Sequence, residues 1–90
     1  MRARHRITFT PQAERDFDAL PRHIQRRIGR WLELLAADPH REGTKKLEGH
    51  ADLRRVHASK DYVIVYAVRN RELLILIVRV GHRKDVYRGL

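Results

Sequence analysis

The sequence predicts an α+β fold: an N-terminal strand, a two-helix hairpin, then an antiparallel β-meander of three or more strands, with the helices packed on one sheet face. Three observations carry this reading. Leu73 to Val80 is a near-continuous apolar run, too short to span a membrane and rich in branched residues, as a strand buried on both faces requires. Apolar residues from Ala13 to Leu35 recur at helical spacing on either side of Pro21. Two further apolar segments, Leu53 to Ala58 and Tyr62 to Val68, are joined by a short polar link, as in a meander.

In chain order, Arg4, Arg6 and Thr8 alternate with His5, Ile7 and Phe9, the period of two of a half-buried strand. Thr10-Pro11 then marks a helix start, because the threonine oxygen accepts an amide that has no helical partner and proline needs no donor at the first helical position. This helix runs to about Leu20. Its apolar stripe is Ala13, Phe17 and Leu20, with Arg15, Asp16 and Asp18 on or near the wet side. Pro21 ends it and opens a second helix from Arg22 to about Ala37, where Ile24, Ile28, Trp31, Leu32 and Leu35 keep helical spacing and Arg22, Arg26, Arg27 and Arg30 lie elsewhere around the axis. Asp38-Pro39 stops it, since the residue before proline disfavours the helical region. His40 to Lys46 reads as a loop, with Leu47 opening a short strand before a turn at Gly49. The last three strands follow, linked at Ser59-Lys60-Asp61 and near Asn70-Arg71. Leu73 to Val80 reads as the central strand, and Gly81 supplies the backbone freedom to leave it. With both helices on one face, the other is expected to be at least partly open to a ligand.

Ninety residues, 42% of them apolar, suit residues 1–90 to a single domain with one modest core. Twenty Lys and Arg against eleven Asp and Glu leave a formal charge of +9, spread along the chain, which points to a polyanionic partner and first to nucleic acid. Cysteine is absent, so disulfide and thiolate chemistry are excluded. Met1-Arg2-Ala3-Arg4-His5-Arg6 looks like the basic start of a signal peptide, but no apolar region follows, which predicts a cytoplasmic protein with no membrane partner. Six histidines lack any metal-ligand spacing, and Gly43 to Lys46 does not match a phosphate loop, so no metal and no small-molecule cofactor are expected.

Two constellations carry chemistry. Along Leu53 to Ala58, Arg55 and His57 share one face and Val56 and Ala58 the other, so with Val56 under the helices the first pair meets the open side. An imidazole beside a fixed cation suits phosphodiester cleavage, in which one group removes a 2′-hydroxyl proton and another balances charge on phosphorus. Past Gly81, Arg83 and Tyr87 lie four apart. A guanidinium forks onto phosphate oxygens and a phenol ring stacks on a base, which makes a clamp for one nucleotide. The alternative is that Tyr87 caps the core and Arg83 pairs with Asp85 or another acid. Lys84 and Arg88 add positive charge to the same segment.

Four stretches resemble the RelE/ParE superfamily of bacterial toxins from type II toxin-antitoxin pairs: Phe9-Thr10-Pro11-Gln12-Ala13, Lys45-Lys46-Leu47-Glu48-Gly49, Arg55-Val56-His57 through Asp61-Tyr62-Val63-Ile64-Val65-Tyr66, and Val80-Gly81-His82-Arg83-Lys84-Asp85-Val86-Tyr87. The last, read as V-G-x-R-x-x-x-Y, is the most specific for the RelE branch. The resemblance implies a metal-independent endonuclease that cuts messenger RNA in the ribosomal A site, and a cognate RelB-like antitoxin. It implies that Arg83 stabilises the transition-state phosphate, that Tyr87 stacks and orients the nucleotide, and that Lys45 or Lys46 supplies a basic group. Where the RelE branch has an arginine after the strand-opening tyrosine, this chain has Val63. The pattern Arg55-x-His57-x-x-x-Asp61-Tyr62 is similar instead to the YafQ-like branch and implies His57 as general acid or base with Asp61 as its orienting partner. That branch usually has histidine where Arg83 stands, so the two patterns are mixed. A ParE-like poison of DNA gyrase, acting by binding, and a non-catalytic RNA-binding relative are the alternatives.

Overall fold

The computed structural model describes residues 4–90, and the basic start at residues 1–3 lies outside the described residues. Strand β1 (Arg6–Phe9) leads into helices α1 (Pro11–Asp18) and α2 (Arg22–Ala37), followed by strands β2 (Thr44–Lys46), β3 (Arg54–His57), β4 (Tyr62–Arg69) and β5 (Leu74–His82). They form a five-stranded sheet in the order β1-β5-β4-β3-β2, with β1 parallel to β5 and the other neighbours antiparallel. The Thr10 cap is formed: its Oγ1 accepts from the Ala13 N–H at 3.1 Å, and its hydroxyl donates to the Val78 carbonyl at 3.0 Å, so one side chain both starts α1 and pins it to β5.

Several boundaries move. The first strand begins at Arg6 rather than Arg4, and α1 ends at Asp18, two residues short of Leu20. The stretch read as a loop contains β2, so the short strand precedes Leu47 instead of starting there. Thr44, Lys45 and Lys46 carry no hydrophobic alternation because this edge strand is held by its ladder with β3 alone. Gly81 lies inside β5, opposite Val63, and the strand ends one residue later at His82.

The central strand is β4, not β5. Ile64 and Tyr66 are fully buried on the helix side with Ile28 and Leu35, while Val63 and Val65 are fully buried on the other side against Val86. Leu74–His82 alternates between buried and half-buried residues, as a strand covered more completely on one face does. The far face is therefore only partly open: the C-terminal segment crosses it and plugs it with Val86. Tyr66 also ties the end of α2 to the sheet, its hydroxyl donating to the Pro39 carbonyl at 2.7 Å.

A β-bulge at Val78 changes the pairing between Val65↔Arg79 and Tyr66↔Ile77. Next to it, Arg79 Nε donates to Asp16 Oδ2 at 2.7 Å and Arg79 Nη1 to the Arg88 carbonyl at 2.7 Å, while the Val80 N–H donates to Asp16 at 3.1 Å. Asp16 is thus no wet-side residue, since its side chain is 11% exposed. Burial alone would push its carboxyl up, but hydrogen bonds from Arg79, Gln12 and Val80, with the Arg79 charge, outweigh that and hold it below 3.8. A carboxyl whose pKa is lowered by folding adds stability above its unfolded pKa, and that stability is lost as pH falls through the folded value. Asp16→Asn is expected to cost about 1.5–3 kcal/mol at neutral pH, the range for hydrogen bonds to a charged group. Urea unfolding of both forms checks this: the gap must shrink on acidification below 3.8.

Candidate active site

On the face away from the helices, a cavity of about 440 Å³ opens at the β2 end of the sheet. Strand β3 supplies two of its walls. Val56 is buried in the helix-side core, so alternation sends Arg55 and His57 to the cavity. The end of β2 and the turn after it supply Lys46, Leu47 and Glu48; the Leu47 N–H donates to the Leu53 carbonyl at 2.9 Å, and the turn is completed at Gly49 with φ +80°.

The chain after β5 supplies Arg83 and Tyr87. The Arg83 N–H donates to the Asp61 carbonyl at 2.7 Å, which ties the start of this segment to the β3–β4 link. The Asp85 and Val86 N–H groups then both donate to the His82 carbonyl at 2.9 Å, a single helix-like turn. Burying Val86 in the floor brings Tyr87 back to the cavity, so Arg83 and Tyr87 meet there as the four-residue spacing predicts.

The fold therefore brings together Lys46, Arg55, His57, Arg83 and Tyr87 from three separate segments. Asp61 is used differently from the expectation: Arg83 Nε stands 3.4 Å from its carboxylate, and His57 makes no side-chain hydrogen bond among the described residues. Asp61 pairs with the guanidinium, and no ion pair with the imidazole is formed among the described residues. Lys45 faces the same way as Arg55, its partner across the β2–β3 ladder, but stands outside the cavity. Lys84 and Arg88 also lie outside it: Lys84 is exposed with its N–H on His82 Nδ1 at 3.2 Å, and Arg88 pairs with Asp85 at 3.5 Å. Arg83 is thus not taken up by Asp85, and the core is closed by Val86 rather than by Tyr87, which is 37% exposed.

Val63 belongs to the apolar cluster of the far face and not to the cavity lining. It is fully buried and packs with Val86, so the place of a second arginine belongs to apolar packing here. Glu48 was not singled out by the sequence as a site residue, yet it is the one carboxylate lining the cavity among the described residues. Its signals are its place just before the Gly49 turn and within the stretch Lys45-Lys46-Leu47-Glu48-Gly49. Imidazole and carboxylate can exchange protons, two guanidiniums can bind phosphate oxygens, and an accessible phenol ring can stack on a base.

The family model for the ParE toxin of type II toxin-antitoxin systems matches residues 7–87. The chain belongs to the ParE toxin family. The toxin's fold is shared with RelE and YafQ toxins, within the same RelE/ParE superfamily. The structure of the archaeal RelE–RelB complex from Pyrococcus horikoshii matches with TM-score 0.74 and 28% identity, over 91% of this chain and 98% of that one. The RelBE2 toxin-antitoxin complex from Mycobacterium tuberculosis matches with TM-score 0.78 and 23% identity, over 89% and 99%. The DinJ–YafQ toxin-antitoxin complex from E. coli matches with TM-score 0.77 and 15% identity, over 93% and 98%. No curated protein sequence matches significantly. No helix among the toxin's described residues is long and apolar enough to cross a membrane.

Proposed function

We propose that this toxin is a metal-independent, ribosome-dependent messenger-RNA endonuclease that inhibits translation in the cytoplasm and is neutralised by a RelB-like antitoxin. The supporting observation is the meeting of His57, Arg55, Arg83 and Tyr87 in one cavity of a strongly basic chain. A cavity of about 440 Å³ accommodates one nucleotide, with Tyr87 against its base and Arg83 and Arg55 against the phosphate. His57 takes the 2′-hydroxyl proton as that oxygen attacks phosphorus, the bond to the 5′-oxygen breaks, and that oxygen leaves with a proton from the acid of the pair. His57 and Glu48 are the two groups in the cavity able to share these roles. Lys46, where the β2 edge borders the cavity, adds positive charge. The antitoxin follows by analogy, since the Pyrococcus horikoshii structure is a RelE–RelB complex and the Mycobacterium tuberculosis and E. coli structures are toxin-antitoxin complexes.

The match to the ParE family model favours one other reading, a gyrase poison that acts by binding. An in vitro translation reaction with mapped cut sites separates the two. The expected result is cutting of messenger RNA with ribosomes present and none on naked RNA. Loss of gyrase supercoiling activity with no RNA cut would replace the first reading with the second.

A further inference from the structure

A second cavity, of about 270 Å³, lies at the end of the same hairpin and has no part in the chemistry above. It is a notch in the sheet. Strand β3 makes its last pairing with β4 at Arg54↔Tyr66, and β4 runs on through Ala67, Val68 and Arg69 with no strand beside it on that edge. His40 from beyond α2, Lys46 and Arg54 from the hairpin, and Arg69 from β4 surround the gap with a single carboxylate, Asp52.

Arg54 has the character of a built site. Its Nη2 donates to Thr44 Oγ1 at 2.8 Å, and its charge, with Thr44, opposes the rise that burial imposes on the Tyr66 hydroxyl. The guanidinium is therefore anchored by Thr44 and has less rotamer freedom left to lose on binding. Its Nε is buried without an acceptor, and no carboxylate pairs with it among the described residues. A half-buried cation with a buried donor left unmet calls for an acceptor, and the basic lining makes an anion the fitting one. At about 270 Å³ the notch falls just below the roughly 300 Å³ at which pockets for whole small molecules begin, so a phosphate group fits it better than a nucleotide.

Lys46 lines this notch and the catalytic cavity alike. We infer that the notch binds a backbone phosphate of the same RNA strand whose reacting nucleotide occupies the catalytic cavity, the strand passing over the β2 edge between Arg54 on one face and Arg55 on the other. This rests on the RNA-cleaving reading. It adds a positioning subsite that reads backbone, not base, and so strengthens strand binding without codon preference.

Fluorescence anisotropy with a 2′-O-methyl oligoribonucleotide, which cannot be cut, tests the subsite apart from the chemistry. Arg54→Met is expected to weaken binding about tenfold and to lower the salt slope by about 0.7, the share of one single-strand phosphate. A nucleoside monophosphate, too short to reach both cavities, is expected to bind the wild type and the variant equally. Because Arg54 also touches the Tyr66 cluster, Arg69→Met is the second variant, exposed and outside that cluster, with the same direction of effect. Unchanged affinity and slope in both folded variants would overturn the subsite, as would equal affinity for inorganic phosphate and for the strand. A toxin that shows the slope change but cuts no RNA on ribosomes would instead remove the nuclease reading and leave the notch a phosphate site.

Discussion

His57→Gln is expected to slow messenger-RNA cleavage on programmed ribosomes by about 10²–10⁴-fold, the range for loss of a positioned proton-transfer group, while ribosome binding changes little. The imidazole ends β3, is exposed, and makes no side-chain hydrogen bond among the described residues, so glutamine breaks no network and leaves stability within about 0.5 kcal/mol. Single-turnover cleavage beside co-sedimentation with ribosomes separates the roles. Equal losses in the two measurements would make His57 a binding residue and shift the proton transfer to Glu48. Glu48 has a competing claim because it lines the same cavity, so Glu48→Gln belongs in the same experiment.

Arg83→Ala is expected to cost at least an order of magnitude in cleavage and up to about 10²–10³, as removal of one donor to a charge-developing oxygen does. The guanidinium is 50% exposed and its Asp61 partner 47%, so the pair contributes little to stability and the alanine form should fold. What Asp61 supplies is aim: its carbonyl accepts from the Arg83 backbone and its carboxylate lies 3.4 Å from the Arg83 side chain. Arg83→Lys therefore keeps the charge but loses the fork, and cleavage should fall between wild type and alanine. Full activity in the alanine form would take Arg83 out of the site and leave Arg55 as the phosphate ligand.

Where neighbours in sequence decide the outcome, the chain is readable. Thr10-Pro11 starts α1 through a hydrogen bond three residues long, and Pro21 with Asp38-Pro39 delimits α2 as Arg22–Ala37. Alternation along β3 suffices to put Val56 in the core and Arg55 with His57 in the cavity. The resemblance to RelE/ParE toxins rests on such local stretches, and the family match covers the residues that contain them. By contrast β2 has no apolar pattern to betray it, since Lys45 and Lys46 are strand residues only by virtue of β3 beside them. Asp16 looked like a solvated helix residue because its partner, Arg79, is 63 positions away.

The sequence by itself determined both helices, the strands other than β2, the family, and the side chains that share a strand face, because helical and strand periods, caps and breakers act over a few residues. Only the tertiary structure decided that β4 is central, that Val86 closes the far face, that Asp61 serves Arg83, and that Glu48 joins the cavity. Each of these depends on which distant segments pack together. An apolar run shows that a strand is buried but not which strands flank it, and a carboxylate's partner is set by the turn that brings a guanidinium within reach.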